Sequence, residues 1–419
     1  MADITVITPD EAQVQQDCWN RGLVAISELV MYFFWSDRTA TPAIIRYVKT
    51  TDGGATWGAA VTIHTSAGSG PILRMDVWYD QWTSSETDGM IHVVFTAATE
   101  TPFGWYHYSI DTDDNDNLSA KHTIDATIQP VIAGVFHQIS IVKAIGGFMW
   151  FAIANGLLFH LYRSLDDGVS WTKIVDGTDS LTGVSEEVAP FFTRQMTLLP
   201  GFAFATPIMA VRTFDGPDNE RAIYLLEYNN GNNVFDKTAT VSTDIDITDS
   251  ITSSMSAIQR DGDSAVIIVW KVDAFGGNSL MSAVLPNSTQ AFVNLVEFAV
   301  STIFFRSPVL YTDIVNGHIY LGYIKGIEGT EDIFWRSSVN SGFNWSDPIQ
   351  FNASAADYRF LHAAYSNLDV EGLFLLAYYN ADTDVFLTDD NAPVPTGLFT
   401  VRTPTSGQEP VSCLTGNPF

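Results

Sequence analysis

The 419-residue chain is predicted to be all-β: seven repeated four-stranded sheets closed into a ring, with six as the alternative count, behind one short N-terminal helix. Three observations carry this prediction. Apolar residues recur with period two or in short runs almost throughout, bounded by Gly, Asn and Asp. A tryptophan-anchored turn octad occurs three times. The spacings between its copies are multiples of one length, the mark of a repeat architecture.

Taken in order, "TPDEAQVQQDCWNRG" reads as the helix. Thr8 is its cap, Pro9 takes the first position where a missing N–H does no harm, Glu11 completes a capping box, and Gly22 stops it. From Gly22 onward the runs are strand-like: "LVAIS", "LVMYFFW", "IIRYVKT", "AVTIHT". In "IGGFMWFAIANGLLFHLYRS" three strands are joined by tight turns.

The octad is Ser/Thr-x-Asp-x-Gly-x-x-Trp. It comprises Thr50, Asp52, Gly54 and Trp57, then Ser164, Asp166, Gly168 and Trp171, then Ser338, Asn340, Gly342 and Trp345. Asp or Asn accepts backbone N–H bonds and holds a turn, Gly permits positive φ, and the Trp is expected to bury a large ring and anchor the hairpin. Asp52 and Asp166 stand 114 positions apart, and Asp166 and Asn340 174 apart. These are two and three periods of about 57 or 58 residues, the length of one four-stranded unit. Eroded copies are expected around Asp111, Gly231 and Asn287, and a seventh turn at Asp389.

These stretches resemble the Asp-box, or bacterial neuraminidase repeat, of sialidase-like β-propellers. The resemblance implies a single propeller over residues 22–403. Each box lies between the third and fourth strands of a blade, at the periphery and remote from any active site. Residues 1–21 are left as an N-terminal strand and helix, and 404–419 as an extended tail. Either "GLFTVRT" or "DITVITP" closes the ring.

Composition narrows the function. Forty-eight acidic against 20 basic residues give a formal net charge of -28, which repels phosphate backbones and argues against nucleic-acid binding. No run of eighteen apolar residues exists, so no membrane insertion is expected. The start "MADITVITPDEAQ" has neither a basic nor an apolar leader region. This points to cytosolic synthesis, with use there or in a particle. Cys18 and Cys413, near opposite ends, are a candidate disulfide or a background pair.

The resemblance also implies what a sialidase site needs: three arginines for the substrate carboxylate, a Tyr/Glu nucleophile pair and an Asp acid/base. Arg21 stands near the place of the first arginine but lacks the Ile-Pro that follows it in the family. Arg38 ends "FFWSDR", and Arg306 in "FFRSPVLY" looks like a displaced arginine motif or a blade-entry residue. No catalytic residue is assigned. In "DTDDNDN", Asp111, Asp113, Asn115 and Asn117 alternate as oxygen ligands around Ca²⁺ would, with an eroded box turn as the plainer reading. Trp78, Tyr79, Trp82, Trp105 and Tyr106 are candidate glycan-stacking rings, or inter-blade core. The eight histidines show no metal-ligand spacing, and no Gly-rich phosphate loop follows a strand.

The expectation is a non-catalytic propeller in a larger assembly. Its partners are other subunits, reached through the termini, and surface glycans. A phage tail or capsid-surface adhesin is the setting, since a polar Pro/Gly/Ser tail is ordered only when docked. The alternative is a sialidase-like exo-glycosidase with drifted motifs, and a purely architectural ring is a third class.

Overall fold

In the computed structural model, residues 3–7 and 21–389 are described, the latter with interruptions of which the longest are 128–136, 183–191, 215–222, 243–254 and 368–375. Residues 8–20 of the predicted helix, both cysteines, Arg38, "GLFTVRT" and the tail lie outside the described residues. The described strands form seven sheets of four or five strands, antiparallel apart from two short accessory strands. The fold is an all-β propeller, as the repeat predicts.

The inner strands, one per sheet, are Leu23–Ala25, Ile72–Tyr79, His137–Lys143, Phe192–Ala203, Met255–Gln259, Phe304–Asp313 and Tyr358–Ala363. They define blades 1 to 7. Each packs against the next around an axis, blade 7 returning to Leu23–Ala25, and blade 1 reaching blade 2 through Met31–Asp37. Neighbouring inner strands run the same way: Gln195 and Gly201 of blade 4 pair in turn with Met255 and Gln259 of blade 5. The blades thus have two ends, one where inner strands begin and one where they finish.

The N-terminal strand closes the ring. Asp3–Ile7 pairs antiparallel with Val385–Asp389 and becomes the outer strand of blade 7, with Asp3 opposite Asp389. A strand from each chain end in one sheet ties the two ends of the ring together at the seam. Both ends of the described chain therefore depart side by side.

Six connections between a third and a fourth strand coincide with predicted turns, after Thr50, Asp111, Ser164, Asn229, Leu285 and Ser338; Asn287 itself and the turn expected after Asp389 lie outside the described residues. The three intact boxes share one bonding plan. The first hydroxyl is the hub: Thr50 Oγ1 donates to Asp52 Oδ1 at 2.7 Å and accepts from Gly54 N at 3.0 Å. Asp52 Oδ1 in turn accepts from Thr56 N at 2.9 Å. Ser164, Asp166 and Ser170 repeat the plan at 2.7, 2.8 and 2.8 Å, and Ser338, Asn340 and Asn344 at 3.1, 2.8 and 2.9 Å. Gly54, Gly168 and Gly342 hold φ of 91°, 85° and 85°, a region costly for any residue with a Cβ.

The box tryptophans differ from expectation. Trp57, Trp171 and Trp345 are half-buried and pack on the edge of the core. The fully buried rings are Trp78, Trp105, Trp150, Trp270 and Trp335, which lie on strands. A turn at the periphery offers cover on one side only, so the ring becomes a lid.

Box turns also join blades. A Cβ on Gly168 of blade 3 would collide with the His107 ring of blade 2, and one on Gly342 of blade 6 would press on Val284 and Ile267 of blade 5. The eroded turn of blade 2 reaches blade 1: Asp116 accepts from Tyr32 Oη at 2.5 Å and from Lys49 Nζ at 2.9 Å. In these three cases the turn of one blade clamps the blade before it.

Candidate functional site

Near the axis, one buried side chain bridges several inner strands. Arg21 enters from blade 1 and is 5% exposed. Its Nη1 donates to Ile141 O of blade 3 at 2.9 Å, and its Nη2 to Leu198 O of blade 4 at 2.7 Å. The Asp76 carboxylate of blade 2 lies 3.6 Å away and accepts from Ile141 N at 2.9 Å. Above the guanidinium stand Trp78 at 5.1 Å and Tyr365 at 5.6 Å, within cation–π range. Tyr365 also stacks near Trp82, and its Oη bonds both backbone groups of Gln259 in blade 5. Arg21 thus ties four blades, and its ring of partners reaches blade 5. Burial pushes the Asp76 carboxyl above the usual carboxylate range, against the pull of Arg21.

This placement corrects the glycan-stacking expectation. Trp78 and Trp105 are 0% exposed, Tyr106 1%, Tyr79 2% and Trp82 4%. A sugar needs an open ring face, and these faces are spent inside and between blades: Trp105 on Phe151 of blade 3, Trp78 on Tyr365. Alternation put them inside because both faces of a blade's strands are covered by neighbouring blades.

The Ca²⁺ expectation fails as well. Asp111 Oδ1 accepts from Asp113 N at 3.0 Å and Asp114 N at 3.2 Å, and Asn117 Nδ2 donates to Asp114. Asn115 and Asp116 hold φ of 51° and 60°, which turns the chain so that Asp116 binds Lys49 and Tyr32. Asp111, Asp113, Asn115 and Asn117 make a turn, and among the described residues no group of three or more His, Cys, Asp or Glu is placed to hold a metal ion.

A second buried cluster, unmarked by spacing in the sequence, joins blades 2 and 3. His92 Nε2 meets Asp80 Oδ1 at 2.8 Å, and His92 Nδ1 meets His107 Nε2 at 2.9 Å. Asp80 Oδ2 accepts from Lys143 Nζ at 2.7 Å, and Lys143 also reaches Asp167 at 2.9 Å and Glu86 at 3.3 Å. Burial alone would raise the Asp80 carboxyl, but His92 and then Lys143 outweigh it and hold it below the usual range. Burial, with His92 and His122 nearby, pushes His107 well below an ordinary histidine. Asp80, His92 and His107 are all fully buried, so the cluster clamps blades and meets no substrate. His92 and His107 sit two pairs apart on adjacent strands, a diagonal contact visible only once the register is known.

The start of the inner strands is the other feature. Arg74 and Arg194 are the third residues of the blade 2 and blade 4 inner strands, Arg306 the third in blade 6 and Arg359 the second in blade 7. All four therefore stand at the end opposite the boxes. Arg74 is half-buried.

No protein-family model and no curated protein sequence matches this chain. Among solved structures it resembles an ulvan lyase, described as a new family of polysaccharide lyase, with a TM-score of 0.55 at 10% identity over 92% of this chain and 95% of that one. It also resembles the Hadza microbial sialidase Hz136 (TM-score 0.44, 11% identity, 88% of this chain and 64% of that one). The Penicillium chrysogenum alpha-L-arabinanase complexed with arabinobiose aligns at TM-score 0.43 and 14% identity, over 60% of this chain and 76% of that one. At such identities the likeness is one of fold. Fold and sheet order together are those of a β-propeller.

Proposed function

We propose that this chain is a non-catalytic, saccharide-binding propeller carried by a larger assembly. The observation that carries the non-catalytic part is the engagement of Arg21. Arg21, the arginine nearest the expected sialidase position, donates to two backbone carbonyls and faces a buried carboxylate, so its charge is committed to holding blades. Asp76 is committed with it. A second copy of the ulvan lyase fold, aligned at the same TM-score of 0.55, is bound to -[GlcA(1-4)Rha3S]-, and that supports a saccharide as the ligand class.

Geometry also supports display. Asp3 and Asp389 lie opposite each other on blade 7, both at the box end, where third strands finish and fourth strands begin. A tether through the termini would hold that end and leave the other one outward. A virion tail or capsid surface meeting host glycans is the setting this reading favours.

Screening the full chain on a glycan array, alongside fluorogenic sialoside and arabinoside substrates, tests the proposal. Saccharide binding without release of fluorophore is the expected result. Turnover of either substrate would overturn the non-catalytic reading, and no binding to any glycan would overturn the saccharide reading.

A further inference from the structure

We infer that the box turn of blade 3, residues 164–171, is an acid-operated latch, loosened from blade 2 when a buried chain of Asp80, His92 and His107 takes up a proton. The three intact boxes rest on different neighbours. A Cβ on Gly54 would meet Met31 at 3.8 Å, and one on Gly342 would meet Val284 at 3.1 Å. Both neighbours are apolar and carry no proton. A Cβ on Gly168 would fall 2.6 Å from Nδ1 of His107. Of the three turns, this one sits on a titratable ring.

The ring contacts decide where a proton arrives. An ionised Asp80 only accepts, so His92 Nε2 carries the hydrogen of their 2.8 Å contact. With both rings neutral, His107 Nε2 donates to His92 Nδ1 at 2.9 Å. His107 Nδ1 is then left without a hydrogen-bond partner among the described residues. Asp80 Oδ2 is taken by Lys143 Nζ at 2.7 Å. A further proton therefore enters at Nδ1 of His107. The charge stays there, or the Nε2 hydrogen passes to His92 beside Asp80. In both cases the new N–H faces Gly168.

That N–H has neither room nor a waiting acceptor. Gly168 O already accepts from Trp171 Nε1 at 2.9 Å, and Gly168 N donates to Ser164 Oγ at 2.8 Å. His107 is fully buried, and the Trp171 ring meets it edge-on with centroids 5.8 Å apart. The turn gives way: Trp171 yields the carbonyl to His107, or the turn lifts and admits water. While it is closed, burial and then His92 and His122 hold His107 well below an ordinary histidine.

The remaining charged groups keep the opening local. His122 faces His107 from the outer strand of blade 2, with ring centroids 6.1 Å apart. Lys143 reaches Asp167 of the turn at 2.9 Å and Glu86 at 3.3 Å. Burial alone would lower the Lys143 ammonium, but Asp80 and then Asp167 raise it above the usual range. It stays charged, so a tether to Asp167 remains as the Gly168 side opens. Ser170 and then Ser164 hold the Asp166 carboxyl below the usual range, which keeps the box itself intact. A histidine depressed in the closed turn and ordinary in the open one favours closure above about pH 6.5. Opening then grows by up to about tenfold per pH unit below that value, for one proton.

Hydrogen–deuterium exchange of the full chain between about pH 7.5 and 5, corrected for the intrinsic pH dependence of amide exchange, tests the inference. Turns 50–57 and 338–345 are internal references, since global unfolding opens all three alike. Opening at 164–171 should rise relative to both by at least about tenfold across that range. His107→Gln should abolish the excess, and His122→Gln should keep it. Thermal melts confirm that each variant is folded; if His107→Gln is not, the three turns of the unaltered chain decide alone. An equal pH response in all three turns would overturn the latch. So would an excess that survives His107→Gln or vanishes with His122→Gln.

Discussion

Arg21 shows how much one side chain can hold when its partners are backbone. Its two donors to Ile141 and Leu198 and its charge opposite Asp76 are all buried. Removing one member of such a pair strands the other in a low dielectric. Arg21→Met should therefore destabilise the fold by about 3–5 kcal/mol in urea unfolding. Arg21→Lys should recover little, since an ammonium cannot fork to two carbonyls in different blades. A loss below about 1 kcal/mol for Arg21→Met would show that the axis is held by its aromatic rings alone. Gly168 is the second such residue: it needs both positive φ and the absence of a Cβ against His107. Gly168→Ala should cost about 2 kcal/mol or more, measurable as a lowered Tm.

At the level of the blade, the clamp of Asp80, His92, His107 and Lys143 gives stability a pH dependence. Burial depresses His107, and burial likewise depresses His362 of blade 7 to about 4. A histidine kept neutral in the fold takes up its proton in the unfolded chain first. Stability is thus fully present above pH 6.5 and is lost as pH falls from 6.5 towards 4, by up to about 1.4 kcal/mol per pH unit for each histidine. The box aspartates act lower: Asp52, bonded by Thr56 and Thr50, is held at about 2. Urea midpoints between pH 7 and 4.5 that stay flat would contradict this account, and His362→Phe should flatten the slope in part.

The sequence displayed the boxes because their bonds span four residues, as from Thr50 to Gly54, so residue type and spacing are one signal. It could not display Arg21, whose acceptors are 120 and 177 residues away. It left Trp78, Tyr79, Trp82, Trp105 and Tyr106 between glycan stacking and inter-blade core, because an aromatic beside a turn looks the same whether its ring faces water or the next blade; the structure decides for core. Arg306 was visible as an unusual motif, but its kinship with Arg74, Arg194 and Arg359 appears only when strands starting at 72, 192, 304 and 358 are brought to one end.

For the whole molecule, closure by Asp3–Ile7 is the decisive contact. That strand supplies the outer edge of blade 7, and Val6 is buried in the shared core at 4% exposure. Removing residues 1–7 exposes the edge of Val385–Asp389 to pairing with other chains. The truncated protein should unfold at lower temperature and self-associate in analytical ultracentrifugation. A monomer with an unchanged Tm would mean that another segment closes the ring.

The central claim, that Arg21 and its buried partners hold the inner strands together around the axis, is tested most directly by hydrogen–deuterium exchange on the chain and on Arg21→Met. The amides of Ile141 and Leu198, bonded to Asp76 and Ser140, should exchange faster in the variant, with the turns at 50–57, 164–171 and 338–345 unchanged. Equal exchange at Ile141 and Leu198 in both proteins would contradict it.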